Sequence, residues 1–212
     1  KQLISYTIDL LIGGGIEKIY IIYHSATADV LNIFDYSSDY MKYVEFIEED
    51  EQKGTLLTFS RIKDMVSPPF LMTFADIIAK RTDFIDMLKI GSSYIVSEAD
   101  LIIQTVSSPS LLSEKAFLIE GSKIIKYQKN GVEGAVSRSQ SVKYGGMVCP
   151  WLKNPFPIIN KYLLQQNYKL SSFLENYIPS HLVFEMPVRD MWDIDTPEVL
   201  MLTEKIYAFE QK

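Results

Sequence analysis

The sequence predicts an α/β protein built on a mainly parallel sheet covered on both faces by helices. Three observations predict it. Apolar runs such as Lys18-Ile19-Tyr20-Ile21-Ile22-Tyr23 have the length and composition of buried strands. Segments with apolar residues at helical spacing lie between them. Strands that alternate with helices along a chain pair in parallel, with crossovers on both faces.

In chain order, Ile4 to Leu11 reads as an amphipathic helix, with Ile4, Ile8 and Leu11 on one face. Gly13-Gly14-Gly15 ends it, because glycine takes the left-handed conformation that closes a helix. A strand follows over Lys18–Tyr23, then a helix over Ala26–Phe34 and a strand over Val44–Ile47. Thr55 to Met65 reads as a helix broken by Ser67-Pro68-Pro69, and Phe70–Phe74 as an apolar strand ending at Ala75-Asp76. The middle of the chain turns to short strands over Ser93–Val106, Ala116–Ile119 and Lys123–Tyr127, with a turn at Glu120-Gly121. Tyr144–Val148 is a further strand around Gly145-Gly146. Pro155–Tyr177 is mostly helical, and Leu182–Met186 is a late strand. The last helix spans Pro197–Phe209, with Thr196 as its cap and Pro197 at its first position.

Composition narrows the function. With 212 residues, 47% of them hydrophobic, the chain can bury a sizeable core, and residues 1–212 read as a single domain. No apolar run reaches the roughly 18 residues a membrane span needs. A net charge of −6 argues against a nucleic-acid partner, which calls for a basic face. The single cysteine, Cys149, forms no disulfide within the chain and fits a reducing cytoplasm. Two histidines and one cysteine do not make a zinc site, so any metal sits on carboxylates, which favours magnesium or manganese. The start, Lys1-Gln2-Leu3-Ile4, is neither signal nor transit peptide, and without a methionine the chain is expected to begin part-way through a longer protein. Aromatic residues near Trp151 and Phe156, expected at the surface, suggest a homo-oligomer.

The glycine triplet at 13–15 is not a phosphate loop. Such a loop needs the order strand, glycines, helix, and here the order is helix, glycines, strand. Asp76 is different: it follows an apolar strand of a parallel sheet, where ligands sit at the carboxyl ends. Asp193 stands in Met191-Trp192-Asp193-Ile194-Asp195-Thr196-Pro197-Glu198, just before a helix. Read alone, Asp76 is also a helix cap or a solvated loop carboxylate, and Asp193 is also a cap, although Thr196 is better placed for that task. Together at a carboxyl end they are expected to suit one hard cation.

Gln52-Lys53-Gly54-Thr55, Phe74-Ala75-Asp76, Gly145-Gly146 and Trp192-Asp193-Ile194-Asp195-Thr196-Pro197-Glu198, in that order, resemble the sugar-phosphate nucleotidyltransferases of the glucose-1-phosphate thymidylyltransferase kind. The opening Lys1-Gln2-Leu3-Ile4-Ser5-Tyr6 is similar to that family's GKPLI segment, so the resemblance runs almost from end to end. It implies a three-layer α/β/α, Rossmann-like and GT-A-like fold with a predominantly parallel mixed central sheet. It further implies an enzyme that transfers a nucleoside monophosphate from a nucleoside triphosphate to a sugar 1-phosphate and releases pyrophosphate, with magnesium or manganese as cofactor and with neither nucleic acid nor membrane as partner. Asp76 matches the first metal aspartate and Asp193 the second. Lys129 falls where the family's lysine contacts the sugar phosphate, although a surface lysine is an equal reading with Lys123 and Lys126 nearby. Gly145 and Gly146 match the glycine that lets the sugar approach the backbone. Gly54 belongs to the substrate-binding set. Glu49 falls near the base-recognition position, within a charge run of the kind that is usually a solvated loop.

Four departures stand out, and the last matters most. Ala75 replaces the usual glycine, Asp195 replaces another, and spacing around Asp193 is slightly tighter. The family's G-G-x-G-x-R-L loop, with its triphosphate-binding arginine, would lie before Lys1; its first strand belongs in the sheet centre, so an omitted N-terminal piece is expected. Two alternatives stay open: a phosphocholine or other phospho-alcohol cytidylyltransferase, and a non-catalytic relative that binds a nucleotide sugar.

Overall fold

The structure is a computed structural model that describes residues 3–33, 39–79, 82, 85–86, 89, 98–107, 115–129, 137, 139–145, 149–189, 191–194, 197–198 and 201. Helix α1 (Leu3–Gly13) buries Ile8 and Leu11 on one face. Its end follows from the glycines. Gly15 takes φ +88°, Ile16 N donates to Leu11 O at 3.0 Å and Gly15 N donates to Ile12 O at 3.0 Å. That is the paired-bond helix stop that a left-handed glycine permits. β1 (Ile19–His24) and β2 (Val44–Glu49) then form a parallel ladder, with Ile19 opposite Val44 and His24 opposite Glu49 at the carboxyl ends.

The largest sheet contains β3 (Phe70–Met72), β5 (Leu101–Val106), β6 (Lys115–Glu120), β7 (Lys123–Lys129), β8 (Gln140–Gly145), β9 (Cys149–Trp151) and β10 (Val183–Pro187). Its order is β10-β7-β6-β8-β5-β9-β3, and β10 pairs with β5 as well, closing a ring of β5, β8, β6, β7 and β10. A separate two-stranded ladder joins β4 (Ile77–Ala79) to β11 (Met191–Asp193). Three helices, α2 (Thr55–Ser60), α3 (Phe156–Leu164) and α4 (Leu170–Tyr177), complete the regular elements used below.

The fold is therefore α/β, but the expected predominance of parallel pairing is corrected. Among the described strands, β1–β2 and β5–β10 pair in parallel, and the remaining ladders are antiparallel. Short connections explain this. β6 and β7 are joined through Gly121-Ser122, with Gly121 at φ +64°, and a two-residue link can only return a strand antiparallel.

Helices α2, α3 and α4 pack through a continuous aromatic cluster. Phe59 lies 5.2 Å from Phe156 and 5.8 Å from Trp151, ring centre to ring centre, and Phe173 lies 5.1 Å from Tyr177. Each fully buried aromatic side chain contributes about 1.5–3 kcal/mol through burial, with about 0.5–1.5 kcal/mol more per well-oriented ring pair. Trp151 and Phe156 are 0% and 3% exposed. The aromatic surface expected there does not exist, and it gives no basis for self-association.

Three other expectations shift. The segment read as a helix over Ala26–Phe34 is a 3₁₀ run over Ser25–Ile33, broken at Thr27 (φ −115°, ψ 21°). The Thr27 hydroxyl donates to His24 O at 2.9 Å and accepts from His24 N at 3.2 Å, local bonds that compete with the helix. α2 stops at Ser60 rather than Met65, because the chain beyond it tightens into bonds such as Arg61 N to Thr58 O (3.1 Å) and Lys63 N to Ser60 O (3.2 Å). The strand read over Phe70–Phe74 ends at Met72. Of the segment 93–106, the strand occupies Leu101–Val106; residues 93–97, 146–148 and 195–196 and most of the last helix lie outside the described residues.

Candidate functional site

Asp76 and Asp193 are separated by more than a hundred positions in the chain, yet they stand on adjoining rungs of one ladder. β4 and β11 pair antiparallel, with Asp193 opposite Ile77, Trp192 opposite Ile78 and Met191 opposite Ala79. The ladder is extended by Ile194 N, which donates to Asp76 O at 2.9 Å. Residues directly opposed in such a pair have Cα atoms about 4.5–5.5 Å apart, so the two aspartate backbones are immediate neighbours. Asp76 lies in the turn between β3 and β4, partly buried, with its Oδ1 shut away from solvent.

That placement suits a divalent cation. Magnesium takes one or two carboxylates and completes its octahedron with water and phosphate oxygens, so a pair of aspartates is the donor set it uses on a nucleotide. Among the described residues, no group of three or more histidine, cysteine, aspartate or glutamate side chains gathers into a closed metal cage.

Gly145 and Lys129 also come to one end of one structural unit. β6 lies between β8 and β7, with Ala116 opposite both Tyr144 and Gln128. One residue further along, Lys115 faces Lys129, with Gly145 following Tyr144 on the other flank. Two strand spacings separate Gly145 from Lys129, about 10 Å. Gly145 has a packing reason of its own: a Cβ there would run into the Phe117 ring. It also faces Thr105 of β5, whose hydroxyl donates to Glu185 Oε2 at 2.8 Å. Gly146 lies outside the described residues.

Glu49 and Gly54 form a third group at the carboxyl end of β2. Glu49 is 5% exposed, and the Arg61 guanidinium donates through Nε to its Oε1 at 3.3 Å. Lys53 pairs with Glu51 at 3.1 Å. Gly54 takes φ +143°, and a Cβ there would stand 2.6 Å from the Tyr168 carbonyl oxygen. Leu56 N donates to that same oxygen at 3.0 Å, so Gly54 is where the chain passes tightly against Tyr168 before α2 begins.

No family model matches this chain, and no curated protein matches it in sequence. Solved structures do. The chain superposes on the inositol-1-phosphate CTP transferase from T. maritima with a TM-score of 0.73 at 16% identity, over 97% of this chain and 80% of that one. It superposes on a putative glucose-1-phosphate thymidylyltransferase from Bacillus anthracis, solved with sucrose, at 0.77 and 13% identity, over 96% and 81%. A third neighbour is the CTP:phosphocholine cytidylyltransferase from Streptococcus pneumoniae, at 0.67 and 17% identity, over 98% and 86%. The chain has the nucleotidyltransferase fold.

Within this fold, several structural features were not read from the sequence. β4 and β11 are three-residue strands, too short to show a period, although they bring the two aspartates together. Arg61 carries no local signal, since nothing along the chain ties it to Glu49. Gln104 stands beside Thr105 in a strand otherwise made of leucine, isoleucine and valine. It is 0% exposed, and neither its Oε1 nor its Nε2 has a hydrogen-bond partner among the described residues.

Proposed function

We propose that this protein is a nucleotidyltransferase that transfers a nucleoside monophosphate from a nucleoside triphosphate to a sugar 1-phosphate and releases pyrophosphate. What supports the reading is the juxtaposition of Asp76 and Asp193 through the β4–β11 ladder, inside a fold that neighbouring nucleotidyltransferases share. Residues 1–212 form one three-layer, GT-A-like nucleotidyltransferase domain in this reading. Its setting is the cytoplasm, and neither nucleic acid nor membrane takes part.

In the reaction, a phosphate oxygen of the acceptor attacks the α-phosphorus in line. The bond from that phosphorus to the bridging oxygen breaks, and pyrophosphate leaves with that electron pair. Both reactants are anions, so the chain's task is positioning and neutralisation. Asp76 and Asp193 would hold a magnesium or manganese ion, which supplies charge neutralisation at the phosphates when bound. Lys129 holds the incoming phosphate. Gly145 and Gly146 let the acceptor approach the backbone, while Glu49 and Gly54 sit on the nucleotide side.

A second reading has a specific observation in its favour. The T. maritima and S. pneumoniae neighbours act on inositol-1-phosphate and phosphocholine respectively, so a phospho-alcohol acceptor fits the same fold. The experiment that tests both is pyrophosphate release by the full-length natural protein. Each nucleoside triphosphate is offered with sugar 1-phosphates, inositol 1-phosphate and phosphocholine, with and without magnesium. Metal-dependent release with a sugar 1-phosphate supports the first reading, and release with an alcohol phosphate alone supports the second. Nucleotide binding without release from any pair would make the protein a non-catalytic relative.

A further inference from the structure

β6, β7 and β8 carry five lysines and one glutamate between them, in a chain whose net charge is −6. The glutamate, Glu120, stands at one end of the β6–β7 ladder, opposite Lys123. At the other end Lys115 stands directly opposite Lys129. Like charges directly opposed on neighbouring strands destabilise the ladder, whereas opposite charges stabilise it. Gly145, which follows Tyr144 on β8, adds no side chain beside that pair. Lys143 stands opposite Phe117, two residues along β6 from Lys115, and the strand period of two places it by register on the same face. Its Nζ donates to the Ser107 hydroxyl at 2.8 Å, a neutral partner that leaves its charge uncancelled. Three lysines therefore share one face at this end, and the only carboxylate of the three strands stands at the other.

We infer that Lys115 joins Lys129 in holding the phosphate of the acceptor, and that this acceptor is the phosphate of a neutral polyol rather than of a cationic alcohol. The inference rests on the nucleotidyl-transfer reading, in which this end of the sheet takes the acceptor. Lys129 supplies one ammonium group in that reading, and the register supplies the second. Neighbouring strands lie about 4.8 Å apart, so two lysines of one rung suit a single phosphate between them. A phosphomonoester carries a charge of about −1.5 to −2 near neutral pH, which two ammonium groups answer through charge-assisted hydrogen bonds. Binding it also removes the repulsion that the opposed lysines carry in the free protein. With the phosphate neutralised by that pair, Lys143 leaves the face positive. A sugar or inositol ring is indifferent to that charge, whereas the fixed cation of phosphocholine is repelled.

The test compares the full-length protein with Lys115→Met, Lys115→Arg and Lys129→Met. Inorganic phosphate is the binding probe, read as the rise in thermal midpoint over sodium chloride of equal ionic strength. Lys115→Met removes one of two opposed charges, so without ligand it should be at least as stable as the natural protein. It should nevertheless bind phosphate about tenfold or more weakly, as should Lys129→Met. In pyrophosphate release, the KM of Lys115→Met for glucose 1-phosphate or inositol 1-phosphate should rise about tenfold or more, while that for the nucleoside triphosphate holds. Lys115→Arg keeps the charge and should restore most of both. The natural protein should prefer the neutral acceptors to phosphocholine, and Lys115→Met should narrow that preference. Unchanged phosphate binding in Lys115→Met, or a preference of the natural protein for phosphocholine, would overturn the inference and leave nucleotidyl transfer intact. Lys115-dependent phosphate binding in a protein that releases pyrophosphate from no pair would remove nucleotidyl transfer and the acceptor with it, while the phosphate site stands.

Discussion

The main-chain nitrogen of Ile194 donates to the carbonyl oxygen of Asp76 at 2.9 Å, and that bond locks the position of one aspartate to the neighbour of the other. With Asp193 opposite Ile77, the β4–β11 ladder sets the spacing between Asp193, the last residue of β11, and Asp76, in the turn that leads into β4. Charge that must be neutralised as it develops needs this kind of fixed placement.

Asp76→Asn and Asp193→Asn should each lower metal-dependent turnover by on the order of two decades or more, with little change in folding stability. Pyrophosphate release under saturating magnesium and substrate measures it. Near-normal turnover in Asp193→Asn would remove that residue from the site.

Gly145→Ala should destabilise the protein by about 1–3 kcal/mol, since its methyl group must displace the ring of Phe117, itself 0% exposed. Urea unfolding gives the cost. The double variant Gly145→Ala with Phe117→Leu should recover part of the loss relative to additivity, because the smaller side chain makes room. Strict additivity would show that the ring is not the obstacle.

Gln104→Met should raise stability by about 1–3 kcal/mol. The substitution keeps the length of the side chain and removes a fully buried amide that has no hydrogen-bond partner among the described residues. The urea midpoint should rise with an unchanged slope. A fall in stability would mean that the amide is satisfied in solution, for instance by an ordered water.

Asp100 ties the start of β5 to the approach to β10. Its Oδ2 accepts from Leu182 N at 2.7 Å, and its Oδ1 pairs with Lys153 at 2.7 Å. Burial works against its charge and is the largest single influence. Hydrogen bonds from Lys153 and Leu182 N, with the charges of Lys153 and His181, outweigh it and hold the carboxyl below its ordinary 3.8. The folded state therefore binds this proton more weakly than the unfolded chain does. The resulting stability is present above the ordinary value and is lost as pH falls through the lower folded value. Asp100→Asn should be less stable than the natural protein at pH about 7, with the gap shrinking below pH about 4. A gap that does not change between those pH values would contradict this account.

Much of the fold was legible along the chain, because its signals are local. The strand at Ile19–His24 needs only a run of β-branched and aromatic residues, and the end of α1 needs only Gly15 in its left-handed conformation. The turn at Gly121 is of the same kind. The order of short motifs around Asp76 and Asp193 likewise marked the two residues that the structure sets side by side.

The tertiary structure alone decided which strands pair, in which direction, and with what closure. The ring of β5, β8, β6, β7 and β10 and the β4–β11 ladder depend on partners far away in sequence, and a three-residue strand carries no period of its own. The same holds for Trp151 and Phe156, which an aromatic cluster drawn from α2, α3, α4 and the sheet takes out of solvent. It holds again for Arg61, whose guanidinium meets the buried Glu49 only after the chain has turned through α2. Propensity and turn chemistry act over a few residues, so the sequence by itself determined the elements and the candidate carboxylates. Burial and pairing act across the whole chain, and they determined which of those residues meet.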